Sequence, residues 1–137
     1  MNRWFDGSAT LTATLSARVH TYARPEARER MIWFFTTILG CEALASPDAK
    51  GPASSIVAFR FSNGSSLSVE FKDDALDEAR ARLGAWIEVA IDDAEEVQKR
   101  IIAEGLTQIR YAANDHFYVQ APGGQVMRIV PRTVIAT

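Results

Sequence analysis

The sequence predicts an α+β fold made of two βαβββ modules, on three observations. A strand, a helix and three short strands follow one another twice within 137 residues. Each helical pattern ends on a glycine, Gly40 or Gly105, where a left-handed cap is expected. Each set of strands closes through a turn signal, Asn63-Gly64 in the first half and Pro122-Gly123-Gly124 in the second. Two such units in so short a chain constitute an internal repeat.

In the first half, residues 17–23 (ARVHTYA) alternate as a strand, with Val19, Thr21 and Ala23 opposite Arg18, His20 and Tyr22. Pro25 suits the first turn of the helix that follows. Met31, Phe34, Phe35, Ile38 and Leu39 then recur at helical spacing, with Trp33 beside them, and make its core face. Strands are expected at 42–45, 55–61 and 66–71, with a plain surface loop at 46–54. In the second half, WIEVAI at 86–91 alternates as a strand, and Asp92 or Asp93 can cap the next helix. Ala94, Val97, Ile101 and Ile102 supply the helix with its apolar stripe, and strands are expected at 107–111, 116–120 and 126–130. The domain thus covers 17–131, as repeats 17–71 and 85–131 joined by a connector at 72–84 that has room for a helical turn or two. Residues 1–16 form an N-terminal extension and 132–137 a tail. Within the extension, Ala9, Leu11, Ala13 and Leu15 alternate with Thr10, Thr12, Thr14 and Ser16, which predicts an added strand, either at a sheet edge or as an arm on a second subunit.

Composition narrows the function classes. The chain is 47% hydrophobic, with 15 basic and 17 acidic residues and a net charge of −2, a balance unsuited to an electrostatically driven nucleic-acid binder. A single cysteine, Cys41, excludes an intrachain disulfide framework and a Cys-rich zinc module; it reads as a structural thiol. No stretch approaches the ~18–20 apolar residues of a membrane span, and the start MNRWFDGSAT has no secretory core, so a cytoplasmic protein is expected. No phosphate loop, dinucleotide fingerprint or nucleophile elbow is present. His116 reads as a surface residue.

The segments VHTYARPEARERMIWFFTTILGCE (19–42), WIEVAIDDAEEVQKRIIAEG (86–105) and APGGQVMRIVP (121–131) resemble the vicinal oxygen chelate superfamily, which includes glyoxalase I, extradiol dioxygenases and bleomycin-resistance proteins. Phe34-Phe35 stands where the family has a Phe-Tyr pair, followed by Leu39-Gly40. The resemblance implies that the paired modules curl into a half-open mixed sheet around a central cleft. It also implies one metal ligand on the first strand and one on the fourth strand of each module. Carried over residue by residue, those positions fall on His20, fourteen residues before Phe34; on Glu70; on Trp86, seven residues before Asp93; and on Arg128.

Only His20 and Glu70 of these four can donate an electron pair to a metal. A guanidinium stays protonated and has no lone pair to offer, and an indole is a donor only. Two protein ligands are too few for a dedicated site, so no resident metal and no other cofactor is expected. On period-2 grounds His20, Tyr22, Glu70, Trp86, Glu88 and Arg128 all project toward the implied cleft. Arg128 can pair with Glu70 or Glu88, or bind an anionic group on a ligand; Trp86 and Tyr22 offer flat apolar surfaces. His20 and Glu70 are the candidates for acid–base catalysis, weighed against a hydrogen-bonded structural histidine and a salt-bridging carboxylate.

The expected function is therefore that of a glyoxalase- or bleomycin-resistance-like homodimer binding a small anionic or aromatic molecule. A divalent-metal-dependent lyase or dioxygenase, with Glu88 or Gln125 as substitute ligands, is the alternative. A non-catalytic partner-binding module is a further one.

Overall fold

The computed structural model describes residues 11–45 and 55–132. The loop expected at 46–54, the first residues of the extension and nearly all of the tail lie outside them. Eight strands and three α-helices alternate in the order the repeat predicts. In the first module β1 (Arg18–Ala23) leads through a 3-10 turn at Pro25–Ala27 into α1 (Arg28–Trp33). The helix continues as a π-turn over Phe34–Ile38. β2 (Glu42–Ala45), β3 (Ile56–Arg60) and β4 (Ser66–Phe71) complete the module. The connector carries α2 (Glu78–Ala81), capped where the Asp77 carboxylate accepts a hydrogen bond from the Arg80 amide at 2.9 Å. The second module is β5 (Trp86–Ile91), α3 (Ala94–Ala103), β6 (Thr107–Ile109), β7 (Tyr118–Gln120) and β8 (Val126–Pro131).

Each module builds its own four-stranded sheet, in the orders β1-β4-β3-β2 and β5-β8-β7-β6. The first and last strands of each module run parallel and the other pairs antiparallel. A parallel pair needs a long crossover, and α1 or α3 is part of it. The sheets are not closed, as expected, but they are two sheets and not one continuous ladder. One core nevertheless serves both modules. Phe34, Phe35, Phe59, Leu67 and Val69 of the first module belong to the same buried cluster as Ile101, Val119, Met127 and Ile129 of the second. Phe35 stacks on Phe59 with ring centroids 4.5 Å apart. Cys41 is buried beside this cluster, and desolvation pushes its thiol up to about 12, so it is neutral at physiological pH.

Three expectations are corrected. Residues 11–16 form no strand and are exposed throughout, because no edge of either sheet in the chain pairs with them. Asp93 does occupy the start of α3, but in a left-handed conformation (φ 52°) that makes no side-chain cap bond. The Asp92 carboxylate instead pairs with Arg132 at 2.9 Å. The strands expected at 107–111 and 116–120 are shorter, since the loop at 110–117 leaves the ladder to fold onto Tyr118.

Candidate functional site

Parallel pairing sets which side chains meet. On β1 and β4, His20 stands opposite Ser68, and Tyr22 opposite Glu70. His20 Nδ1 is 2.6 Å from Ser68 Oγ, its Nε2 is 3.6 Å from Glu70 Oε1, and its ring meets Tyr22 edge-on at 5.0 Å. This cluster is open: the side chains of His20 and Glu70 are 40% and 30% exposed. On β5 and β8, Glu88 stands opposite Arg128, with Nη1 3.4 Å from Oε1. This pair is more enclosed, Arg128 being 19% exposed, and Arg128 Nε is buried without a hydrogen-bond partner among the described residues.

Aromatic and amide groups fill the rest of the second module's face. Trp86 packs edge-on against Tyr118 at 5.4 Å, and Tyr111 from the 110–117 loop packs against the other part of Tyr118 at 4.6 Å. Gln120, 3% exposed, accepts from Arg82 Nε at 2.6 Å and donates to the Glu78 and Gly124 carbonyls. These bonds hold α2 and the connector over β7 and match the buried Gln120 amide.

Within one chain the six expected site residues divide into two clusters. His20, Tyr22 and Glu70 belong to the first sheet, and Trp86, Glu88 and Arg128 to the second. Arg128 pairs with Glu88 and not with Glu70, because the register of β5 brings Glu88 directly across from it. A cleft of about 540 Å³ between the modules is walled by His20, Tyr22, Met31, Leu76, Ile87 and Gln125. A second, of about 440 Å³, has Leu39, Phe61, Ser66, Glu88 and Arg132 among its walls; Val19 and Ile87 border both. Glu70, Trp86 and Arg128 wall neither of these two. Gln125 turns its amide to the carbonyls of Ala85 and Val126.

The repeat supplies its own internal alignment. The turn of the first module has Phe61 N on Ser65 O and Gly64 N on Phe61 O; that of the second has Ala121 N on Gln125 O and Gly124 N on Ala121 O. Gly64 therefore corresponds to Gly124, and counting along the strands makes Ser68 the counterpart of Arg128. Through the parallel ladders His20 then corresponds to Glu88. The carry-over from motif spacing placed Trp86 and Glu70 in those roles; each is two residues from the position the ladders select. Spacing measured from a helix, which placed Trp86, does not carry strand register.

Neither set of four fits a divalent metal. The ladder-aligned set is His20, Ser68, Glu88 and Arg128, of which the last carries a fixed positive charge. Among the described residues no three His, Cys, Asp or Glu side chains come together as a metal-holding group. Ser68, Tyr111, Tyr118 and Gln120 are the side chains that sequence reasoning missed. The alternation Ser66, Ser68, Glu70 already put Ser68 on the face of Glu70; the partners of Tyr118 and Gln120 depended on pairings no local pattern reveals.

The fold is that of glyoxalase-type proteins. FosX, a fosfomycin resistance protein from Mesorhizobium loti, superposes with a TM-score of 0.64 at 15% identity, over 92% of this chain and 97% of that one. FosX from Listeria monocytogenes gives 0.64 at 16% identity, over 92% and 97%. A possible glyoxalase from Bacillus cereus gives 0.60 at 16%, over 86% and 99%. These likenesses establish the architecture, the one the resemblance to vicinal oxygen chelate proteins implies. No family model and no curated protein matches the sequence. Among the described residues no helix is long and apolar enough to cross a membrane.

Proposed function

We propose that this chain is a cytoplasmic homodimer that binds a small anionic or aromatic molecule without a resident divalent metal. The observation that carries the reading is Arg128, a half-enclosed guanidinium held by Glu88 and still unmatched at Nε. A guanidinium repels a cation and favours a carboxylate or another anion, bidentately where geometry allows. Trp86, 43% exposed, adds an aromatic surface on the same strand pair. The test has two parts. Metal analysis of protein purified without chelator is expected to find no stoichiometric divalent ion; one tightly bound ion per chain overturns the reading. Aromatic carboxylates should raise the melting temperature of the wild type and not of Arg128→Gln, since a ligand at 100 times its Kd stabilises by about 2.7 kcal/mol. Size-exclusion chromatography tests the dimer.

A metal-dependent lyase or dioxygenase is the second reading, favoured by Glu88 standing at the counterpart of His20. It requires Glu88 to leave Arg128. Under it, divalent-dependent turnover exists and Glu88→Gln abolishes it. A partner-binding module is supported by the filled face around Tyr118 and predicts no thermal shift with any small ligand.

A further inference from the structure

We propose that Ser68, His20 and Glu70 form a nucleophile–base–carboxylate relay across β1 and β4 that accepts an acyl group from a small ester. The three side chains come from one face of two adjacent strands, and the imidazole lies between the other two, one ring nitrogen toward each. The proton positions follow from the chemistry of the partners. A carboxylate can only accept, so Glu70 favours the tautomer with hydrogen on Nε2. Nδ1 is then a lone pair, and at 2.6 Å it accepts the Ser68 hydroxyl proton. This is the arrangement in which a neutral imidazole is a general base toward a hydroxyl nucleophile. The Glu70 contact, at 3.6 Å, is longer than a hydrogen bond and acts electrostatically; such contacts commonly tighten only with substrate bound.

The step balances without a co-reactant other than water. Ser68 Oγ forms a bond to the ester carbon as its proton passes to His20 Nδ1. The carbon–oxygen bond to the leaving alcohol breaks, and that oxygen takes the proton from Nδ1. Water then repeats the sequence and releases the acid. β4 is hydrogen-bonded on both sides, to β1 and β3, so its own amides are not free to receive the transient oxyanion. Arg18 lies on the same face of β1, opposite Ser66, and brings positive charge to it. His20 and Tyr22 also wall the 540 Å³ cleft, whereas Ser68 and Glu70 lie outside it on the open face of the sheet.

The relay goes beyond ligand binding at Arg128 and stands on different residues, so the two are tested separately. The full-length protein is treated with a short alkyl fluorophosphonate, which transfers its phosphorus to Ser68 Oγ with loss of fluoride. One label per chain on the peptide carrying Ser68 is expected. Ser66, on the same strand and face, is the internal control for ordinary hydroxyl reactivity. Ser68→Ala should remove the label, and His20→Gln should slow it about 100-fold or more. Glu70 is a positioning residue: Glu70→Gln should slow labelling and change its pH profile, while Glu70→Asp restores part of the rate. No label, a label on Ser66 or elsewhere, or a rate unchanged in His20→Gln overturns the proposal. Lys99→Gln, on the exposed side of α3 and outside both clusters, leaves the labelling rate as in wild type, and a loss of label there also overturns the proposal.

Discussion

At the residue scale, charge and burial decide what each polar side chain can do. Among the described residues Arg128 has one ion-pair partner, Glu88, and little solvent to replace it. Glu88→Ala is expected to destabilise the fold by about 1–3 kcal/mol in urea denaturation, because it strands a partly buried cation. Replacing both residues together, Glu88→Leu with Arg128→Met, should recover most of that loss; additive losses would show that the pair is not coupled. Among the described residues, Cys41 carries a pH effect with a clear sign. Its thiol is held to about 12 in the fold against 9.0 for a free group, so the unfolded chain ionises first. Stability from this residue is complete below pH 9 and falls as pH rises from there toward 12. Iodoacetamide should modify native Cys41 slowly at pH 8, and Cys41→Ala should flatten the alkaline limb of the stability profile.

At the element scale, hairpins and helices differ in how much they tolerate. Gly64 and Gly123 both have positive φ, +86° and +93°, and both turn hairpins at counterpart ends of the repeat. They differ in surroundings. A Cβ on Gly64 meets open space, whereas one on Gly123 runs into the Met31 thioether. Gly64→Ala should therefore cost about 1 kcal/mol, the left-handed penalty alone, and Gly123→Ala measurably more; equal losses in thermal denaturation would refute this. The π-turn at Phe34–Ile38 puts Phe34 and Phe35 both into the core, at right angles to one another. Phe35→Ala removes the stack on Phe59 and leaves a cavity, with an expected loss of about 3–5 kcal/mol.

At the scale of the whole molecule, two sheets without a shared ladder are held by a shared core. That arrangement predicts one cooperative unfolding transition, followed alike by far-UV dichroism and tryptophan fluorescence. Phe59→Ala in the first module and Ile101→Ala in the second should both lower that one midpoint. Two separable transitions would mean that the modules are independent domains. The same arrangement explains why the expected site residues fall into two clusters: each cluster is built by the first and fourth strands of its own sheet.

The repeat, its helices and the strands around Asn63-Gly64 and Pro122-Gly123-Gly124 were legible in the sequence, because turn chemistry and apolar period are local properties. Residue type alone also says that the Arg128 guanidinium has no lone pair for a metal. The face shared by Ser68 and Glu70 was legible too, from alternation. What met across that face was not. Trp86 meets Tyr118 only because β8 pairs with both β5 and β7, and the pairing of Glu88 with Arg128 and the placement of Ser68 on His20 depend on parallel register. That register joins strands about 40 to 50 residues apart, beyond the reach of any short-range pattern. The alternating segment at 11–16 shows the converse: a local pattern can favour a strand, but a strand forms only when its backbone is paired, and these residues pair with no described sheet edge.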